Sequence, residues 1–296
     1  MLDLKSNKIC DVYQWFKSGL AALPEQVEHP FLCNEIFSRF FGITPVQRVL
    51  EPDKRLSESD IVLLIKARKR LNKGEPVQYI TGKADFLGNT FAVDPNVLIP
   101  RPETEGLVLW LAENLKGSNE EQQMKKRILD VGTGSGVIAV SLAFLFPDDE
   151  ILACDYREKI LELANYNSRI NNVLVSFFLC DIIAGETAGI LPGSLDVVIS
   201  NPPYVRESEK VYMSGNVLEH EPVSALFVPD DDPLLYYRNI TCRSNEWLRD
   251  GGWVYFEINE AMGEECTSLL KGEGLSNILV KRDIHGKKRY IRAQKS

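Results

Sequence analysis

Apolar residues recur at helical spacing from early in the chain. Ile9, Val12, Tyr13, Phe16 and Leu20 fall on one face of a helix over 9–20. Phe31, Leu32, Ile36, Phe37 and Phe40 form a second such set behind Pro30, a residue suited to the first helical turn. A third helix starts at Ser57, where Ser-Glu-Ser-Asp offers a cap with an acid three residues on, runs from Ile61 to Leu71 and stops at Gly74. Residues 1–80 thus read as a small helical bundle, either a structural appendage or a substrate-docking platform, which amphipathic faces alone do not separate. Phe86-Leu87 and Phe91-Ala92-Val93 flank Gly88-Asn89 as a short hairpin, and residues 81–100 read as a linker that runs through Val97-Leu98-Ile99 to Pro100. Leu107 to Leu115 has a helical pattern, and the polar run 116–126 reads as a surface linker.

From Arg127 the period changes. Ile128–Val131 reads as a strand, Val137–Phe146 as a helix, Ile151–Cys154 as a strand and Lys159–Ile170 as a helix. Further strands are expected at Val173–Leu179, Leu195–Ser200 and Trp253–Ile258, with a helix between about Pro233 and Leu248. This alternation predicts a parallel, doubly wound α/β sheet over residues 101–296. Near the end, 281–295 carries seven Lys or Arg against Asp283 alone, and its strand-like Arg289-Tyr290-Ile291 is expected to close the sheet edge.

Length and charge narrow the class. A chain of 296 residues is long enough for about two domains. Its formal charge of -8 opposes generic attraction to nucleic acid or anionic lipid, so neither a nucleic-acid substrate nor a membrane is expected. The six cysteines, at 10, 33, 154, 180, 242 and 266, include no CxxC pair and no neighbouring His cluster, which argues against structural zinc and for a reducing compartment. The acid-containing N-terminal stretch resembles no secretory or transit signal, and a cytoplasmic, monomeric protein is expected.

Three motifs carry chemistry. Asp130-Val131-Gly132-Thr133-Gly134-Ser135-Gly136 is a glycine-rich turn between a strand and a helix, where missing Cβ atoms let a ligand approach the backbone. Its glycines alternate, and the third small residue of a nicotinamide motif is absent because position 137 is Val, so the loop resembles that of S-adenosylmethionine-dependent methyltransferases. Asp155 ends the next strand, about twenty residues on, where a carboxylate accepts from ribose hydroxyls. Asp181 ends the strand after that. Finally, Asn201-Pro202-Pro203-Tyr204 follows the apolar strand Val197–Ser200. Two prolines remove two donors and fix two φ angles, leaving the Asn201 side chain and the Pro202 carbonyl as rigid acceptors for a planar NH2 group that Tyr204 covers.

Across nearly its whole length the sequence resembles the release-factor glutamine methyltransferase family (HemK/PrmC). The residues that carry the resemblance are Pro76-Val77-Gln78-Tyr79-Ile80, Gly82, Phe86, Gly88, the run Leu98-Ile99-Pro100-Arg101-Pro102-Glu103-Thr104-Glu105, the glycine loop, Ser200 to Tyr204, and Glu221-Pro222. The resemblance implies a class I methyltransferase (Rossmann-like) domain with a doubly wound seven-stranded sheet behind a small N-terminal helical bundle. It also implies the cofactor S-adenosyl-L-methionine and, as substrate and partner, the glutamine of the Gly-Gly-Gln motif in class I peptide-chain release factors, methylated by direct SN2 transfer. By it Gly132, Thr133, Gly134, Ser135, Gly136, Asp155, Asp181, Ile182 and Asn201 hold the cofactor. Asn201, Pro202, Pro203 and Tyr204 hold the glutamine, with Asn201, Pro202 and Tyr204 catalytic, while Arg101 and Glu103 order the loop over the pocket.

Two positions depart from the family. Ile182 stands where many relatives have tryptophan, and Glu257-Ile258-Asn259 replaces Glu-Ile-Gly or Glu-His-Gly. His220, between Glu219 and Glu221, reads as an exposed ion-paired residue rather than a catalytic one. A methyltransferase acting on a ribosomal-protein glutamine shares nearly every site residue, and one acting on an exocyclic base amine uses the same tetrapeptide. Both stand as alternatives at the level of sequence.

Overall fold

The helical periodicities of the N-terminal region become α1 (Ile9–Ser18), α2 (His29–Phe41), α3 (Pro45–Leu50), α4 (Glu58–Leu71) and α5 (Val77–Thr81) in the computed structural model, which describes residues 4–20, 28–116, 125–185 and 189–296. Their starts have local causes. Pro30 lies in the first turn of α2. Ser57 accepts from the Asp60 N–H while the Asp60 carboxylate accepts from the Ser57 N–H, a reciprocal cap for α4. Thr44 and Gln47 cap α3 in the same way. The helices bury Phe16, Ile36, Phe37 and Leu64 in one core.

β1 (Lys83–Phe86) and β2 (Asn89–Ala92) form the hairpin, with its turn one residue earlier than Gly88-Asn89 implies. Leu87 and Gly88 take φ of 45° and 77°, and Glu105 Oε1 accepts from the Leu87 N–H at 2.8 Å. Then come α6 (Pro102–Lys116), β3 (Arg127–Val131), α7 (Val137–Leu145), β4 (Glu150–Asp155), α8 (Glu158–Ile170), β5 (Ser176–Leu179) and β6 (Leu195–Ser200). Most of the 116–126 linker lies outside the described residues. A short ladder of β7 (Val205–Arg206) and β8 (Phe227–Val228) encloses a 3-10 turn, α9 (Gly215–His220) and α10 (Val223–Leu226). The chain ends through α11 (Leu235–Trp247), β9 (Leu248–Glu257), α12 (Gly263–Gly272), β10 (Ser276–Arg282) and β11 (Lys288–Gln294). Two compact units result, Met1–Lys83 with Ser214–His220, and Ala84–Met213 with Glu221–Ser296.

The second unit holds a seven-stranded sheet in the order β10-β11-β9-β6-β3-β4-β5. Five strands are parallel, but β11 is antiparallel to both neighbours, so the sheet is mixed rather than parallel. The expected edge role of Arg289-Tyr290-Ile291 is also corrected. β11 lies inside the sheet and β10 forms the edge, because the two make a hairpin and only β11 carries side chains buried enough to need cover from both sides. Along β6, Leu195 and Val198 pack in one core with Tyr237 and Trp247, while Val197 and Ile199 pack in the other with Leu111 and Ile138. Both faces are therefore covered, as a doubly wound sheet requires. The chain runs from β3 outward to β5, then crosses back to β6, and a crevice opens at that reversal beyond the strand ends.

Candidate active site

A cavity of about 370 Å³ occupies this crevice. Its floor is the glycine loop, which is tied down from several sides. The N–H groups of Gly132 and Thr133 both donate to the Cys154 carbonyl at 2.9 Å, and Asn167 Nδ2 donates to the Ser135 carbonyl at 2.8 Å. Beneath it Thr133 donates to Asp130 Oδ2 at 2.6 Å, and full burial pushes the Asp130 carboxyl up to about 7. Gly132, Thr133, Gly134 and Ser135 line the cavity. Gly132 and Gly134 have φ of 72° and 55°, and a Cβ built on either meets no atom within 4 Å. Backbone thus faces open space where a side chain would stand, which fits the close approach S-adenosylmethionine requires. Gly136 does not line the cavity; it starts α7 with its Cα against Ala164 of α8.

Asp155, 6% exposed at the end of β4, also lines the cavity. It accepts from the N–H of Gly134 at 3.1 Å and of Tyr156 at 2.9 Å, and burial raises its carboxyl against those two amides. A carboxylate offers about four acceptor sites, so acceptor capacity remains for a ribose hydroxyl. Asp181 Oδ1 accepts from the N–H groups of Ile183 and Ala184, holding the turn after β5, and Asp181 and Ile182 line the same cavity. Tyr236 and Ile240 of α11 complete an apolar wall with Ile182.

Asn201, Pro202 and Pro203 line this cavity too, and beside it lies a smaller one of about 50 Å³. The two share Leu98, Arg101, Asn201, Pro202 and Ala225, so the Asn201-Pro202 elbow stands between them. Tyr204 lines only the smaller. Its hydroxyl donates to Glu257 Oε1 at 2.9 Å, and burial beside that carboxylate raises the phenol well above its ordinary range. Thr104 donates to Glu257 Oε2 at 2.8 Å, and Asn201 Nδ2 lies 3.0 Å from Thr104 Oγ1. Burial raises the Glu257 carboxyl, opposed first by the Thr104 and Tyr204 hydroxyls and then by Arg289. Thr104 and Glu257 stand in the quoted motifs, yet no local signal marks them as partners of Asn201.

Arg101 joins Glu221 at 2.5 Å, and Glu221 also accepts from the Ile99 N–H at 3.2 Å, which ties the segment before α6 to the start of α10. Glu103 lines neither cavity; its carbonyl accepts from the Tyr290 hydroxyl at 2.7 Å, and an added Cβ on Gly106 would stand 2.1 Å from that oxygen. Asn259 Nδ2 reaches the Tyr204 carbonyl at 3.4 Å and Glu209 at 3.3 Å, a tether glycine lacks. His220 faces the Lys73 carbonyl, 3.4 Å away within the first unit. Among the described residues no group of side chains could hold a metal ion, and no helix is long and apolar enough to cross a membrane.

Comparison with known proteins shows the family of the chain. Residues 109–226 match the methyltransferase small domain, and residues 12–82 match the PrmC N-terminal domain. The chain is 40% identical to the release factor glutamine methyltransferase of Flavobacterium psychrophilum over 94% of this chain and 95% of that protein. It is 44% identical to that of Bacteroides thetaiotaomicron over 76% and 78%, and 32% identical to that of Lactococcus lactis over 94% and 98%.

Proposed function

The chain belongs to the release factor glutamine methyltransferase family, and on that footing we propose that it methylates the glutamine of the Gly-Gly-Gln motif in class I peptide-chain release factors. It is an S-adenosylmethionine-dependent protein-glutamine N-methyltransferase. The observation that carries the finer reading is the Asn201-Pro202 elbow between two adjoining cavities. The larger takes the cofactor, with Gly132 to Ser135 beneath it, Asp155 on the ribose hydroxyls, and Asp181 and Ile182 beside the adenine. The smaller takes the glutamine side chain, with Tyr204 and Arg101 in its wall. The N-terminal helices dock the release factor, and the enzyme works as a cytoplasmic monomer.

When bound, S-adenosylmethionine supplies a methyl group activated by a sulfonium centre. Asn201 Oδ1 and the Pro202 carbonyl accept the two N–H hydrogens of the substrate amide, which turns its nitrogen lone pair toward that methyl. Alignment of this kind is worth up to roughly 7–11 kcal/mol, so the site needs no strong base. An amide nitrogen that has gained a fourth substituent is very acidic, and its proton leaves to water. The product keeps one N–H and satisfies only one acceptor, so the reaction stops at a single methyl group.

The test is mass spectrometry of a purified class I release factor after incubation with enzyme and S-adenosylmethionine. A single methyl shift on the Gly-Gly-Gln peptide is expected. A shift confined to a ribosomal protein or to RNA overturns the reading.

A further inference from the structure

We propose that Thr104 and Glu257 are positioning residues that decide which end of the Asn201 amide faces the substrate. An ionised carboxylate only accepts, and a hydroxyl has one hydrogen to give. Tyr204 gives its hydrogen to Glu257 Oε1 at 2.9 Å, and Thr104 gives its own to Oε2 at 2.8 Å. Thr104 Oγ1 therefore has only lone pairs left for Asn201, 3.0 Å away, and Asn201 must answer with Nδ2–H. That leaves Oδ1 as the end free for a guest, and among the described residues nothing donates to it.

The opposite orientation sets two oxygens against each other at 3.0 Å and turns an NH2 toward the substrate's NH2. Thr104 and Glu257 are 3% and 1% exposed, so little solvent reaches the pair, with Thr104 bordering the larger cavity and Glu257 the smaller. The Thr104 and Tyr204 hydroxyls, and then Arg289, which is paired with Asp283 at 3.3 Å, oppose the burial that raises the Glu257 carboxyl and so favour its ionised form. The polarity of an acceptor just beyond β6 is thus set from the first turn of α6 and the end of β9.

This inference rests on the proposed methyl transfer at Asn201, and wild-type methylation of the Gly-Gly-Gln peptide in the same assay checks that reading separately. Thr104→Val keeps the shape and removes the acceptor. It should lower kcat by about tenfold or more while the calorimetric Kd for S-adenosylmethionine stays within a few-fold of wild type, and the thermal midpoint should fall only by what one unpaired Glu257 oxygen costs. Thr104→Ser, which restores the hydroxyl, should recover most of the loss. If wild type is active and Thr104→Val matches it within about twofold, or Thr104→Ser is as slow as Thr104→Val, the relay does not exist. A fall in rate, cofactor affinity and midpoint together marks a merely structural residue and also overturns it. Neutron diffraction from wild-type crystals decides the case without any variant. A deuteron on Asn201 Nδ2 pointing at Thr104 is expected, and the amide oxygen in that place refutes the proposal.

Discussion

Within the glycine loop, Gly134→Ala and Gly136→Ala should fail in opposite ways. Gly134 has φ of +55° and open space beyond its Cα. An alanine there pays only the left-handed strain, about 1–2 kcal/mol. Its methyl enters the cavity in which the cofactor is proposed to bind, so S-adenosylmethionine affinity should fall about tenfold or more, equivalent to about 1.4 kcal/mol per tenfold. Gly136 has φ of +84°, and its added Cβ would lie 3.1 Å from Ala164 Cβ and 3.3 Å from Ala164 Cα. That neighbour belongs to α8 and cannot yield as a flexible side chain does. Overpacking of about 1–3 kcal/mol adds to the same strain, for a total of about 2–5 kcal/mol, while the folded fraction should bind cofactor within about threefold of wild type. Urea denaturation and calorimetric titration of both variants measure the two quantities. Equal loss of affinity in both, or a larger stability loss at 134 than at 136, refutes the placement of the loop under the cavity.

Asn201→Ala should abolish most turnover with cofactor Kd within a few-fold, whereas Asp155→Ala should weaken S-adenosylmethionine itself; calorimetry showing the same loss in both contradicts that division of labour. Arg101→Ala strips the cation from Glu221, whose side chain is 1% exposed. Arg101 itself is partly solvated, so the cost should be about 1–3 kcal/mol rather than the full penalty of a buried pair, read as a lower urea midpoint. An unchanged midpoint dismisses the pair as a tie. The Asp130 carboxyl, raised from 3.8 to about 7, keeps its proton in the folded state after the unfolded chain has lost it. Stability should therefore fall as pH rises between those values, by up to about 1.4 kcal/mol per unit, and Asp130→Asn should remove that slope. Parallel stability curves for the two proteins at pH 5 and pH 7 disprove the assignment.

What was legible in the sequence was local. The Ser57–Asp60 cap, the glycine loop between strand and helix, and the proline elbow after β6 each lie within a few residues of their cause. The hairpin turn was displaced by one residue because Leu87, a poor left-handed residue on propensity, is held there by Glu105 from α6. A short basic strand at the end of the chain reads as a sheet edge, whereas Tyr290 and Ile291 are buried in β11 beside β10, whose residues alternate only between exposed and half-buried and so give a weak strand pattern. Thr104 and Glu257 meet across 153 residues. No periodicity or spacing predicts such a bond, and only the sheet order brings it about.

With Thr104 positioning Asn201 as proposed, control of the rate extends to Gly106, which lines neither cavity. Its bare Cα lets the Tyr290 hydroxyl reach the Glu103 carbonyl, and any larger side chain must push that phenol aside or tilt the opening turn of α6. Thr104 rides on the same turn. Laboratory selection for altered turnover should therefore recover substitutions at 106 and 290, positions that line neither cavity, and a screen restricted to the cavity walls overlooks the dial.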